Sequence, residues 1–172
     1  MEKKDFTKEL IETANKICTA GKGILAADES PGSVDKKFNP IGLENNGENR
    51  RRYRDMLLTS DGIENYISGV IFQEETAKQT TVKDGINFVE FVRSKGIVAG
   101  IKVDKGLGIL NSNQENYTKG LDALPAMAKE FYALGCRFAK WRAVLKMENG
   151  CPSEQSILEN AWGLARYAAI CQ

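Results

Sequence analysis

Hydrophobic and polar positions follow two different periods along the chain. Four short apolar runs have the length of buried strands and cover residues 23–28, 68–75, 97–106 and 137–145. Apolar residues at helical spacing predict helices over 5–19, 47–60, 87–95 and 121–134, and a last helix that begins at the N-cap residue Ser153. The segment 29–42 is rich in Ser, Pro and Gly and predicts a loop. Strands and helices therefore alternate four times after a first helix.

This alternation predicts an α/β fold, because strands separated by helices form parallel sheets through right-handed crossovers. Two architectures fit the alternation, an open doubly wound sheet and a (β/α) barrel. The open sheet usually carries a glycine-rich phosphate loop after its first strand. Here the first strand is followed by "DESPGS", which is neither of the common phosphate-loop motifs. The sequence therefore favours the barrel, and its 172 residues predict one domain.

Composition excludes several classes of function. The net charge of +1 gives no field that would attract nucleic acid, and no apolar run approaches the roughly 18 residues of a membrane helix. The chain contains no histidine, which excludes Ser-His and Cys-His nucleophile pairs and the usual histidine metal sites. Its four cysteines are widely scattered, which indicates free thiols in a reducing compartment such as the cytoplasm. We expect neither a nucleic-acid partner nor a membrane partner.

Charged residues recur near the carboxyl ends of three predicted strands. Side chains two residues apart share one face of a strand. By this period Asp28 ends the first strand, Lys102 and Asp104 end the third, and Lys140 and Arg142 lie inside the fourth. One such charge is as often simply solvated as functional, but three strands repeat the pattern on their less aliphatic face. In a barrel this edge forms the active site.

This set of charges suits an anionic, phosphorylated ligand. A lysine crowded by other cations in a dry pocket acts as a base or as a Schiff-base nucleophile, and a nearby aspartate exchanges protons. Ser30 and Ser33 add hydroxyl donors for phosphate oxygens. The basic run Arg50–Arg52 with Arg54 is different, because such a run on a helix is expected to lie on a solvated face.

Several ordered motifs resemble one family. The stretches "GKGILAADES", "ENRRRYR", "GIKVDKG", "FAKWR" and "ENAWGLARYA" together closely resemble class I fructose-bisphosphate aldolase, from about residue 5 to the last residue. The resemblance implies a (β/α)8 TIM barrel that is usually a cytosolic homotetramer. It implies reversible cleavage of fructose 1,6-bisphosphate to the triose phosphates dihydroxyacetone phosphate and glyceraldehyde 3-phosphate, with a lysine Schiff base as electron sink. It implies no cofactor and no metal, since the metal-dependent aldolases use histidine ligands.

The resemblance also implies roles for individual residues. Asp28 is similar to the aspartate that assists carbinolamine chemistry and carbon–carbon cleavage. Lys140 is similar to the lysine that stabilises charge beside the reacting carbons, which is not the Schiff-base residue. The implied substrate and phosphate contacts are Ser30, Ser33, Lys37, Lys102 and Arg142. Lys37 stands where many members have an arginine, so the charge is kept but the bidentate fork is not.

The resemblance covers half of a barrel, which needs about 250 residues or more. Residues 1–172 are therefore expected to be the N-terminal part of a single TIM-barrel domain, with about four parallel strands and their helices. The strands that carry the Schiff-base lysine and the acid/base glutamates in the family would follow, so the chain alone is expected to be inactive. Two alternatives stay open. One is a non-catalytic fragment that binds a phosphosugar or an acidic protein partner. The other is a different Schiff-base lyase, against which "AADES" and "AKWR" argue.

Overall fold

The computed structural model describes residues 5–172 and divides them into two compact units. The first unit comprises residues 5–102 and 134–138, and the second comprises 103–133 and 139–172. In the part of the chain from residue 5 onward, no helix combines the length and the apolarity that a bilayer crossing requires.

The first unit begins with a helix and then repeats strand and helix. Its elements are α1 (Thr7–Ile17), β1 (Gly23–Ala27), α2 (Pro31–Phe38), α3 (Gly47–Leu58), β2 (Ile67–Phe72), α4 (Glu74–Ala77), α5 (Phe88–Ser94) and β3 (Val98–Lys102). The predicted strands at 23–28, 68–75 and 97–106 are confirmed, although each ends earlier than predicted and β2 begins one residue earlier. The helices at 5–19, 47–60 and 87–95 are confirmed in the same way.

The strands are ordered as they occur in the chain. β1 pairs with β2 in parallel and β2 pairs with β3 in parallel, and the fourth strand, β6 (Phe138–Lys140), follows β3 in the sheet. A doubly wound sheet reverses its strand order at a switch point, and this sheet does not. The strand order therefore excludes the doubly wound sheet and agrees with the expected barrel, and the chain has an α/β fold with a parallel sheet of four strands.

One face of the first unit's sheet forms the core. The register aligns Ala27 with Phe72 and Phe72 with Ile101, so the side chains of each aligned row share a face. The buried face consists of Ala27, Val70, Phe72, Ala99 and Ile101. On the opposite face the Phe138 ring lies over Gly69 and Gly100, while Ile24 is 47% exposed. The face of this sheet opposite the core is therefore only partly covered by other side chains.

The second unit contains a short hairpin and two helices. β4 (Leu107–Ile109) and β5 (Asn116–Thr118) pair antiparallel, α6 runs over Leu124–Leu134 and α7 over Glu154–Cys171. The hairpin lies between the strand predicted at 97–106 and the helix predicted at 121–134, where the sequence pattern predicted no regular element. Ser153 caps α7 as predicted, since its side chain accepts a hydrogen bond from the Ser156 amide. Glu115, fully buried, accepts hydrogen bonds from the Asn111 side chain and from the amide and hydroxyl of Ser153.

The loop predicted at 29–42 was wrong, because residues 31–38 form helix α2. Three local features explain the helix. Ser30 is an N-cap whose side chain accepts a hydrogen bond from the Ser33 amide, and Pro31 occupies the first turn. Val34 and Phe38, four residues apart, are both buried. The apolar pair outweighs the loop-like composition.

Two other predictions need correction. The fourth strand spans three residues rather than 137–145, and residues 141–147 have no regular secondary structure. The predicted apolar faces of α1 and α7 are not core, because α1 buries no residue and α7 buries Ser156 and Asn160. Asn160 donates to the Asn116 carbonyl, so α7 contacts β5 through its polar side. Ile157, Leu158 and Leu164 stay exposed.

Candidate active site

Two predicted site residues lie on one face and one edge of the first unit's sheet. Ala27, Phe72 and Ile101 form an aligned row, so Asp28 and Lys102 both follow it by one residue. Their side chains therefore point to the partly covered face, together with Ile24, Ala26, Val98 and Gly100. Since neighbouring strands are 4.7–4.9 Å apart, the backbones of Asp28 and Lys102 are about 10 Å apart. Asp28 is 8% exposed and Lys102 is half-buried.

A carboxylate and an ammonium group thus follow neighbouring positions at one edge of the sheet. A largely buried carboxylate can exchange a proton with a bound hydroxyl or carbonyl. A lysine can neutralise a phosphate or a developing negative charge. The Phe138 ring over Gly69 and Gly100 gives this face an aromatic floor, because a side chain at Gly100 would overlap the ring.

The residue after Asp28 is the centre of an ion-pair cluster in the same unit. The Glu29 carboxylate accepts hydrogen bonds from Arg54 Nη1 at 2.9 Å and from the Tyr53 hydroxyl at 3.2 Å, and Lys37 Nζ lies 2.6 Å from Glu29 Oε1. Arg54 Nη2 donates to the Glu29 carbonyl at 3.0 Å. Lys37 also donates to the Tyr53 hydroxyl at 2.9 Å. The cluster fixes both the backbone and the side chain of Glu29.

Charge pairing controls the protonation of this cluster. Burial alone would raise the pKa of Glu29, but the hydrogen bonds and charges of Lys37 and Arg54 outweigh it and lower that pKa. The hydrogen bond to Glu29, with a smaller one to Tyr53, raises the pKa of Lys37. Glu29 is therefore an anion between two cations at neutral pH.

The predicted phosphate hydroxyls lie at the start of α2. Ser30 and Ser33 Oγ atoms are 3.0 Å apart, and both residues are exposed. The amino end of a helix favours anions, because its first amide groups point outward. Lys37 is near the other end of this eight-residue helix, with its side chain 54% exposed.

The remaining predicted site residues belong to the second unit. Lys140 ends β6, and its carbonyl accepts a hydrogen bond from the Val103 amide at 3.1 Å. Tyr167 contacts both residues next to Lys140. Its hydroxyl donates to the Ala139 carbonyl at 2.8 Å, and its ring stacks on the Trp141 ring with the centroids 5.4 Å apart. Burial raises the pKa of Tyr167 to about 12, so the hydroxyl keeps its proton. The backbone that carries Lys140 is thereby fixed.

Arg142 lies outside the strand, which corrects one expectation. Because β6 ends at Lys140, the period of two residues does not extend to Arg142, and the prediction that both cations share one strand face was wrong. The Arg142 side chain is exposed, and its carbonyl accepts a hydrogen bond from the Thr118 hydroxyl. Asp104, 5% exposed, accepts a hydrogen bond from the Gly106 amide.

The solvated face predicted for the arginine run was also wrong for two of its members. Arg54 is 2% exposed, and Arg50 makes a bidentate ion pair with Glu75. The sequence contained a signal for Arg54, because it precedes the buried Leu58 by four residues and so shares its helical stripe. No pattern along the chain pairs Arg54 with Glu29, since the two are 25 residues apart.

Comparison with known proteins adds a family match. The family model described as fructose-bisphosphate aldolase class-I matches residues 9–172. The chain is 54% identical over 168 residues to the cytosolic fructose-bisphosphate aldolase 5 of Arabidopsis thaliana, covering 97% of this chain and 47% of that protein. It is 51% identical over 168 residues to the chloroplastic fructose-bisphosphate aldolase 3 of the same plant, covering 97% of this chain and 42% of that one.

A solved structure agrees in fold. The fructose-bisphosphate aldolase of Plasmodium falciparum, solved in a ternary complex with TRAP and a small-molecule inhibitor, superposes with a TM-score of 0.91 at 49% identity. The superposition covers 95% of this chain and 48% of that one. The chain thus spans about half the length of the relatives that it matches.

Proposed function

Because this chain belongs to the class-I fructose-bisphosphate aldolase family, we propose that it forms part of an enzyme that reversibly cleaves fructose 1,6-bisphosphate. The products are dihydroxyacetone phosphate and glyceraldehyde 3-phosphate, and the electron sink is a lysine Schiff base. The observation that carries the proposal is the family match over residues 9–172, with 54% identity to a cytosolic relative. The bond that breaks joins the third and fourth carbons of the sugar.

The first unit supplies proton transfer and phosphate contacts in this proposal. Asp28 exchanges a proton with the substrate hydroxyl or the carbinolamine from its largely buried position. Lys102, about 10 Å away across two strands, lines the site and neutralises negative charge. Ser30, Ser33 and Lys37 bind a phosphate group at α2.

Two further cations take part in the proposal. Lys140 stabilises charge next to the reacting carbons, and the contacts of Tyr167 on either side of it support a fixed position. Arg142, on irregular backbone after β6, holds the phosphate at the sixth carbon. The fixed position of Lys140 suits a contact to the transition state. The more adaptable position of Arg142 suits a contact to the bound substrate.

The Schiff-base lysine lies outside this chain in our proposal, so residues 1–172 alone are inactive. For the complete enzyme we propose a cytoplasmic homotetramer, although matched relatives are named as both cytosolic and chloroplastic. Neither a metal nor a cofactor takes part. No step of the proposed mechanism involves nucleic acid or a membrane.

Borohydride trapping tests the assignment of the lysines. The chain is incubated with dihydroxyacetone phosphate, any imine is reduced, and the product is digested for mass spectrometry. We expect no adduct on residues 1–172. An adduct on Lys102 or Lys140 would overturn the assignment of both as non-covalent residues.

A longer version of the protein, extended to the length of its relatives, is the matched control. It is expected to form an adduct on a lysine beyond residue 172 and to cleave fructose 1,6-bisphosphate. In that version Asp28→Asn should lower kcat by about a hundredfold or more, since a positioned proton-transfer group contributes about that factor. Unchanged kcat would remove Asp28 from the mechanism.

A further inference from the structure

The Lys37 ammonium group already has an anionic partner in this structure. Its ammonium lies 2.6 Å from Glu29 and 2.9 Å from the Tyr53 hydroxyl. Glu29 has a second cation, Arg54, on its other carboxylate oxygen. An anion that is to bind Lys37 must therefore compete with Glu29.

The two cations differ in their freedom to move. Arg54 is 2% exposed and holds Glu29 by the carboxylate and by the carbonyl, so it cannot leave without breaking buried hydrogen bonds. The Lys37 side chain is 54% exposed and ends in a point charge on a flexible stem. An ion pair whose ammonium is half in solvent contributes little free energy, because water screens it. Lys37 can therefore leave Glu29, and Arg54 can then keep Glu29 neutralised.

We propose that Glu29 is a positioning residue that sets the phosphate affinity of the α2 site by holding Lys37 in an exchangeable ion pair. In the resting state Lys37 is paired with Glu29 and Tyr53. When a phosphate group binds near Ser30 and Ser33, Lys37 turns to it and Arg54 remains on Glu29. The inference rests on the proposed function in so far as the ligand carries a phosphate group.

Tyr53 acts as the second holder of Lys37. Its hydroxyl accepts a hydrogen bond from Lys37 and donates one to Glu29, so it joins the two members of the exchangeable pair. Its ring contacts Phe38 edge-on at 5.8 Å, which fixes the hydroxyl. Removing only this oxygen weakens the hold on Lys37 and leaves every charge in place.

A double-mutant cycle with inorganic phosphate distinguishes two effects of Glu29. One is competition with phosphate for Lys37, and the other is direct repulsion of phosphate by the Glu29 charge. Phosphate is titrated into the 172-residue chain, and the backbone amide signals of Ser30 and Ser33 are followed by NMR. Glu29→Gln is compared in two backgrounds, with Lys37 present and with Lys37→Met. We expect Glu29→Gln to tighten phosphate binding about two- to fivefold with Lys37 present, the equivalent of an exposed pair, and to leave it unchanged with Lys37→Met.

Three outcomes would overturn the proposal. Equal tightening in both backgrounds would mean that Glu29 only repels phosphate through its charge. No tightening in either background would mean that Glu29 does not compete. Absence of any phosphate-dependent shift at Ser30 and Ser33 would mean that α2 is not a phosphate site.

Tyr53→Phe keeps the test available if Glu29→Gln does not fold, because it changes no charge. It should tighten phosphate binding in the same direction by a smaller factor, and again only when Lys37 is present. Acylation with acetic anhydride gives a second readout, with the exposed neighbour Lys36 as internal reference. Lys37 should be acylated faster in Tyr53→Phe than in the unchanged chain, and an equal rate would contradict the pairing.

Failure of this inference is distinguishable from failure of the proposed function. The cycle measures phosphate binding by this chain and needs no turnover. The aldolase assignment depends on borohydride trapping and cleavage by the longer protein. A longer protein that cleaves fructose 1,6-bisphosphate while the cycle shows no coupling would leave the function standing and remove the role of Glu29.

Discussion

Removing either partner of the Glu29–Arg54 pair should have unequal effects on stability. Glu29→Gln leaves the guanidinium of Arg54, 2% exposed, without its ion-pair partner. Breaking a buried pair in this way costs about 3–5 kcal/mol, and we expect about 3 kcal/mol because the amide oxygen of Gln still accepts one hydrogen bond. Lys37 contributes little to this loss, because its ammonium is half in solvent.

The opposite substitution, Arg54→Met, should cost about 1 kcal/mol, because a buried charge leaves together with its desolvation penalty. Glu29 keeps Lys37 and the Tyr53 hydroxyl as partners. The double variant should cost about as much as Arg54→Met alone, so that the two single effects do not add. The coupling is therefore expected to be about 2–3 kcal/mol.

Urea denaturation followed by far-ultraviolet circular dichroism measures these free energies of unfolding. The control is Arg51→Met on the same helix, which removes an ion pair with the exposed Glu48 and a hydrogen bond to the Thr80 carbonyl, and it should cost about 1 kcal/mol. If Arg54→Met costs as much as Glu29→Gln, or if the double variant costs the sum of both, the argument from the buried guanidinium is refuted.

Three further outcomes are expected. Gly100→Ala places a methyl group against the Phe138 ring and should lower the free energy of unfolding by about 1–3 kcal/mol. Phe138→Leu in the same chain should relieve part of that cost. If the losses of the two substitutions add, the contact is contradicted. Hydrogen bonds from Ser153 and Asn111 hold the pKa of Glu115 at about 2, below its ordinary value of 4.5. Its stabilising effect is therefore full above pH 4.5 and is lost as the pH falls towards 2, and Glu115→Gln should flatten the stability curve in that range. The chain alone should self-associate in sedimentation, since β1 is an edge strand and Ile24 is 47% exposed; a monomer across concentrations would contradict this.

The sequence predicts the strands of the first unit well, because each is a short apolar run bounded by turn residues. Asp28 and Lys102 each follow by one residue the aligned row of Ala27, Phe72 and Ile101, so the period of two residues still predicts that they share a face. The fourth strand was overextended because Trp141, Val144 and Leu145 are apolar without being in a strand. Trp141 packs on Tyr167 instead, a contact that no local pattern contains.

The burial of charges was the hardest feature to predict. A run of arginines looks solvated when only its composition is considered, and the partner that buries Arg54 lies on a different element. Helix α7 shows the reverse case, because its buried residues are the polar Ser156 and Asn160, and the Asn160 side chain donates to the Asn116 and Ser156 carbonyls. Periodicity finds apolar stripes, but it does not say which stripe meets a neighbour in this chain.

The order of the strands in the sheet has a consequence for synthesis on the ribosome. In the four-stranded sheet each strand after β1 pairs with the sheet strand made before it, so from β2 onward each new strand finds a partner that has already emerged. Parallel pairing across a helix is slow, because the loop between the strands must close first. A nascent chain emerges at about 5–20 residues per second, which gives each new strand seconds to join its predecessor. The sheet can therefore grow in the direction of translation, one strand at a time.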